Sequence, residues 1–89
     1  MTRISSAEAF GRELRALRRK KKMSQETLAL EANLDRTYIS LLELGRHAPS
    51  LDTMLQLCHA LEISFADLAR CLEERLKKEN AQSGRGSAR

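Results

Sequence analysis

Tryptophan is absent from this 89-residue chain, proline occurs once, and the only aromatic residues are Phe10, Tyr38 and Phe65. With so few rings and few long β-branched runs, the composition favours an all-helical chain, and strands are not expected. Two cysteines, Cys58 and Cys71, stand thirteen positions apart and cannot supply a disulfide framework. No apolar run near the amino terminus is long enough for a secretory leader or a membrane span, so the chain reads as soluble and cytoplasmic, with no membrane partner. Also missing are a glycine-rich phosphate loop, a paired-histidine metal motif and a nucleophile elbow, which leaves catalysis without residues to perform it. Cys58 and His59 adjoin, yet neighbours on a helix point about 100° apart and no second Cys/His pair at ligand spacing exists. The expectation is therefore a protein that is not an enzyme and has no metal or cofactor.

What is present is charge, unevenly spread. The formal net charge is +4; residues 1–22 hold eight Lys or Arg against two Glu, and the remainder hold eight against ten acids. A positive field at one end suits a polyanion, either nucleic acid or an acidic membrane surface. Eighty-nine residues make one small domain near the lower limit of unaided folding, so a partner subunit sharing apolar surface would aid stability.

Helix signals divide the chain. Residues 1–5 read as a flexible end, with Ser5 and Glu8 forming the serine-x-x-glutamate start of a first helix whose apolar positions are Phe10, Leu14 and Leu17. Ser24 caps a short second helix with Leu28, Ala29 and Ala32 facing inward, and Asn33 supplies a left-handed turn with Leu34 pinned beneath it. Asp35 is placed to cap a third helix, in which Tyr38, Ile39 and Leu42 share one stripe and Thr37, Ser40, Leu41 and Leu44 share another. Gly45 stops that helix. Ser50 caps a fourth, with Leu51, Met54, Leu55, Cys58 and Leu61 at buried spacing, and Ser64 and Asp67 open a fifth, striped by Phe65, Leu68, Leu72 and Leu76. The acids fall at caps and on outer faces. One domain over residues 6–79 is expected, and residues 80–89, without apolar period, read as a disordered tail.

The second and third helices, joined by a short turn over residues 25–44, describe a helix-turn-helix unit. Ala29 lets the two approach closely, while Ile39 and Leu42 lock the second onto the core, so its outer stripe stands as a rigid ridge. Such a ridge fits the major groove of B-DNA, about 12 Å wide.

The run QETLALEANLDRTYISLLEL from Gln25 to Leu44, followed by GRHAPSLDTM, closely resembles the phage-repressor or Cro-like helix-turn-helix family of bacterial transcription regulators. The resemblance covers about residues 10 to 69 and implies an all-α, compact five-helix domain that binds double-stranded operator DNA as a two-fold homodimer. Carried over by position, it implies that Gln25 touches phosphate or supports the recognition helix, that Arg36, Thr37, Ser40 and Leu41 meet base edges, and that Tyr38, Arg46 and His47 hold phosphates. Asn33 and Glu62 stand where glycine is usual, and Glu62 would be strained if its backbone is left-handed. Leu41 and Leu44 are less polar than is common at their positions, which shifts site choice toward few direct contacts and DNA shape.

The expected function is sequence-specific regulation of transcription at a near-palindromic operator, with Phe65, Leu68, Leu72 and Leu76 also forming the dimer contact and no small-molecule effector evident. The alternative is a helical protein-interaction module that uses the outer face of the third helix against a protein partner. Lipid binding by the first helix is disfavoured because its apolar side is needed for the core.

Overall fold

Hydroxyl side chains set the helix starts. In the computed structural model, which describes residues 4–83, the chain forms α1 (Ser6–Lys20), α2 (Gln25–Ala32), α3 (Arg36–Glu43), α4 (Leu51–Leu61) and α5 (Phe65–Ser83), and no strand occurs among the described residues. Ser5 Oγ accepts from the Glu8 amide at 3.1 Å, and Glu8 Oε1 accepts from the Ser5 amide at 2.9 Å, closing the predicted box. Ser24, Ser50 and Ser64 each accept from the amide three residues on, at 3.0, 3.0 and 2.9 Å. Asp35 takes the same place before α3 in extended backbone, but its carboxylate makes no cap hydrogen bond, so the predicted side-chain cap is not formed.

Helix ends bend through the left-handed region. Asn33 has φ 61° and ψ 46°, the turn its side chain tolerates, and Gly45 follows α3 at φ 76°. Glu62 sits at φ 58°, so the strain anticipated there is present, and Lys22 joins it at φ 59° without any signal in the sequence. The last helix continues through Ser83, past the expected boundary at Asn80; residues 84–89 of the expected tail and 1–3 of the expected flexible start lie outside the described residues.

The core gathers side chains from every helix. α1 rests on α3 and α5, α2 rests on α3 and α4, and α4 meets α5, enclosing Leu14, Leu28, Ile39, Leu42, Leu57 and Leu61 almost completely. Each such side chain stabilises the fold by about 1.5–3 kcal/mol relative to exposure. Helix α4 corrects one expectation: Cys58 and Leu61 are buried and Met54 is partly so, but Leu51 and Leu55 face outward and Leu57 takes the interior. Leu55 and Leu57 flank the Met54–Cys58–Leu61 stripe on opposite sides, about 160° apart, and contact with α2 selects the Leu57 side.

Gly11 explains how closely α1 approaches α3. A Cβ there would lie 2.3 Å from the Leu42 carbonyl oxygen and 2.7 Å from that of Glu43, so the α1 backbone sits directly on the last turn of α3.

Candidate nucleic-acid interface

The inner stripe of α3 is fully buried at Ile39 and Leu42, and Ala29 from α2 lies against it at 4% exposure. Leu34 closes the turn, its amide donating to the Ala29 carbonyl at 2.8 Å. These contacts leave the opposite stripe as a ridge with little freedom to rotate. Arg36 and Thr37 are exposed at its amino end, Ser40 and Leu41 are half-buried along it, and Leu44 is exposed at its carboxyl end. The ridge thus grades from a guanidinium and a hydroxyl to two leucines. Tyr38 is half-buried against the core, and its ring lies 6.1 Å from the His47 imidazole, tilted by 55°, which ties the loop after α3 back to the helix. His47 and its neighbour Arg46 are both exposed.

A second constellation went unread in the sequence. Glu43, placed with the acids on outer faces, is in fact buried, its side chain showing no exposed surface. Its Oε2 accepts from Arg18 Nε at 2.6 Å; its Oε1 accepts from Arg18 Nη2 at 3.0 Å, Gln25 Nε2 at 3.0 Å and Arg15 Nε at 3.3 Å. Burial pushes this carboxyl upward, but hydrogen bonds from Arg18, Gln25 and Arg15 and the Arg18 charge outweigh it and hold the group below the usual glutamate range. The Arg18 guanidinium is pushed up, chiefly by its hydrogen bond to Glu43 and against desolvation. Arg18 also donates to the Met23 carbonyl at 2.9 Å, fixing the link into α2. One signal was available: Arg18 falls four residues after Leu14 and Glu43 four after Ile39, so both continue the buried stripes of helices that pack together.

The positive field of α1 is accordingly smaller than a count of its side chains suggests. Arg12 pairs with Glu79, and Arg75 of α5 donates to Glu13 at 2.8 Å and to Glu79 at 2.9 Å, an ion-pair chain that ties α5 to α1. Hydrogen bonds from Arg75 to Glu13 and Glu79 keep its own pKa raised against desolvation. Arg18 is enclosed, while Arg19, Lys20 and Lys22 are exposed and make no ion pair among the described residues.

The apolar residues expected at a subunit contact divide in two. Leu68 is buried in the protomer's own core at 3% exposure and Leu72 packs against it, so neither offers much surface to a partner; Leu76 is half-buried. Phe65 on α5 is 39% exposed, and Leu51 and Leu55 on α4 are 57% and 47% exposed. The two cysteines separate as well: burial raises the pKa of the Cys58 thiol, and Cys71 is half-buried on α5. His59, beside Cys58 in sequence, points outward.

Residues 14–68 match the helix-turn-helix family model. The chain is 45% identical over 60 residues to the control protein C.BamHI of Bacillus amyloliquefaciens, an alignment spanning 66% of this chain and 74% of that protein. It is similar in structure to the restriction-modification controller protein C.AhdI from Aeromonas hydrophila, with TM-score 0.68 and 44% identity over 70% of this chain and 94% of that one. It also resembles the clp gene regulator ClgR from Corynebacterium glutamicum, with TM-score 0.86 and 30% identity over 92% of this chain and 87% of that one.

Proposed function

The chain belongs to the helix-turn-helix family, and from that premise we propose that it is a transcriptional regulator that binds a near-palindromic DNA operator as a homodimer, in the cytoplasm and without catalysis. The observation that supports this most directly is the outer stripe of α3, where Arg36 and Thr37 stand exposed on a helix whose inner side is wholly buried. In this reading Arg36 pairs with guanine, Thr37 and Ser40 donate or accept at base edges, and Leu41 meets a thymine methyl. Tyr38, Arg46 and His47 hold phosphates and fix register. Similarity to proteins named as restriction-modification controllers and as a gene regulator points to control of transcription.

Two-fold pairing through Phe65, Leu51 and Leu55 is the dimer contact this surface favours, because these are large apolar side chains left uncovered on adjoining helices. It would set two copies of α3 about 34 Å apart, facing half-sites one helical turn apart.

Selection of bound duplexes from a random pool, followed by anisotropy titration and sedimentation, tests the proposal. Enrichment of a near-palindrome bound by a dimer is the expected result. No enrichment over shuffled duplex would end this reading and favour a protein partner for the apolar end of the ridge, where Leu44 is 54% exposed.

A further inference from the structure

We propose that the cleft between the carboxyl end of α1 and the turn joining α4 to α5 binds a medium-chain alkyl carboxylate, and that its occupancy withdraws Lys20 from DNA. The site stands on its own geometry, and its effect on DNA rests on the DNA-binding reading above.

Leu17, Lys20 and Lys21 lie three and four residues apart and share one face at the end of α1. Across from them, Glu62 bends the chain through φ 58° and ψ 44°, and the Ile63 amide donates to the Cys58 carbonyl at 3.0 Å, which sets Ile63 next to the end of α4. Leu17, Lys20, Lys21, Leu61 and Ile63 together line a cleft of about 370 Å³, at the lower end of the roughly 300–1,000 Å³ found for small-molecule pockets. Leu61 is buried, Leu17 and Ile63 are half-buried, and both lysines are exposed. No effector was legible along the chain, because Leu17 and Leu61 meet only across the fold.

The lining selects the ligand. Its apolar part is wholly aliphatic, with no ring to stack on, which suits an alkyl chain. Its rim carries two ammoniums against one carboxylate: Lys20 makes no ion pair among the described residues, and Lys21 reaches Glu62 only at 3.9 Å, with side chains 42% and 81% exposed. Such a pair is weak in water and yields to a competing anion. Long stems carry both ammoniums clear of the carbonyl end of α1. One negative head on an aliphatic body therefore matches the cleft in charge and in polarity.

A larger cleft of about 490 Å³ between α1 and α5 offers no such complement. Its arginines are already engaged within the protomer, Arg12 by Glu79 and Arg75 by Glu13 and Glu79. Lys20 is among the cations left free to meet phosphate, and a carboxylate bound beside it would neutralise it. By linkage, DNA and the carboxylate then weaken each other's binding by the same factor.

The test titrates the full chain, isotope-labelled, with sodium octanoate by NMR; acetate supplies the charge without the chain, and 1-octanol the chain without the charge. Octanoate should bind with about millimolar affinity, at least about threefold more tightly than octanol, and move the amides of Leu17, Leu61 and Ile63, while acetate moves none of them. Lys20→Gln combined with Lys21→Gln should abolish the preference over octanol. Glu62→Gly removes the competing carboxylate and the left-handed strain together, so octanoate should bind about threefold more tightly and the melting temperature should rise. Unmoved cleft amides, or equal affinity for octanoate and octanol in the wild type, would overturn the proposal. So would cleft amides that shift with protein concentration alone, which mark a second copy on this face. In anisotropy titrations at matched ionic strength, saturating octanoate should weaken the complex with an enriched duplex by about threefold and flatten its KCl slope by about one, an effect that Lys20→Gln removes. An unchanged complex overturns the effector role, whereas a wild-type chain that binds no duplex removes the DNA-binding reading and leaves the cleft to be decided by the octanoate titration.

Discussion

Glu43 has the most consequential environment of any single residue in the molecule. A carboxylate with no exposed surface, served by three side chains, leaves uncompensated guanidinium and amide donors behind when it is removed. Glu43→Ala should therefore destabilise the fold by about 3–5 kcal/mol, read by urea denaturation at neutral pH. The pH dependence has a definite sign. Because its folded pKa lies below the usual glutamate range, Glu43 contributes fully above that range, and the contribution drains away as acid carries the pH through the folded value. Melting temperature should fall on acidification, and Glu43→Gln should flatten that fall. Gly11→Ala sets two effects in opposition. Alanine gains about 1 kcal/mol of helix propensity, but its Cβ would sit 2.3 Å from the Leu42 carbonyl oxygen, so steric repulsion wins and a net loss of about 2 kcal/mol is expected in the same assay. At base level, Arg36→Ala should reduce preference at one base pair by about 1–3 kcal/mol while leaving affinity for shuffled duplex nearly unchanged, measured by competition with single-substitution operators.

At the scale of elements, α3 and α4 behaved differently under sequence reading. The buried stripe of α3 was legible because its apolar side is narrow: Ile39 and Leu42 point inward, Tyr38 flanks them, and polar Arg36, Thr37 and Ser40 mark the other side. Helix α4 carries leucine at 51, 55, 57 and 61, so hydrophobicity surrounds most of it and periodicity alone could not say which side faces the core. Packing on α2 and α5 resolves the choice, and Leu51 and Leu55 are left exposed. The double change Leu51→Glu and Leu55→Glu should consequently shift sedimentation toward monomer while leaving the melting temperature of dilute protein within a few degrees of wild type, because neither side chain belongs to the core.

Across the whole molecule, ion pairing redistributes the charge that DNA would meet. Arg12 and Arg18 look alike in the sequence to Arg19, Lys20 and Lys22, yet the first two are engaged by Glu79 and Glu43 and the last three stand free among the described residues. Substituting Lys20 or Lys22 by alanine should flatten the salt slope of binding by about one each, whereas Arg12→Ala should leave it close to wild type. Equal slopes for all three variants would contradict this partition.

Local chemistry was settled along the chain itself: serine caps, the Asn33 turn, the stop at Gly45 and the spacing of Ile39 and Leu42 each depend on neighbours within about four positions, so helix order and the recognition ridge were readable from residues alone. Contacts between distant residues were settled only by folding. Glu43 lies 25 positions from Arg18, and Glu13 lies 62 from Arg75. No periodicity encodes such separations, and the energy of a charge depends on whether packing removes it from water.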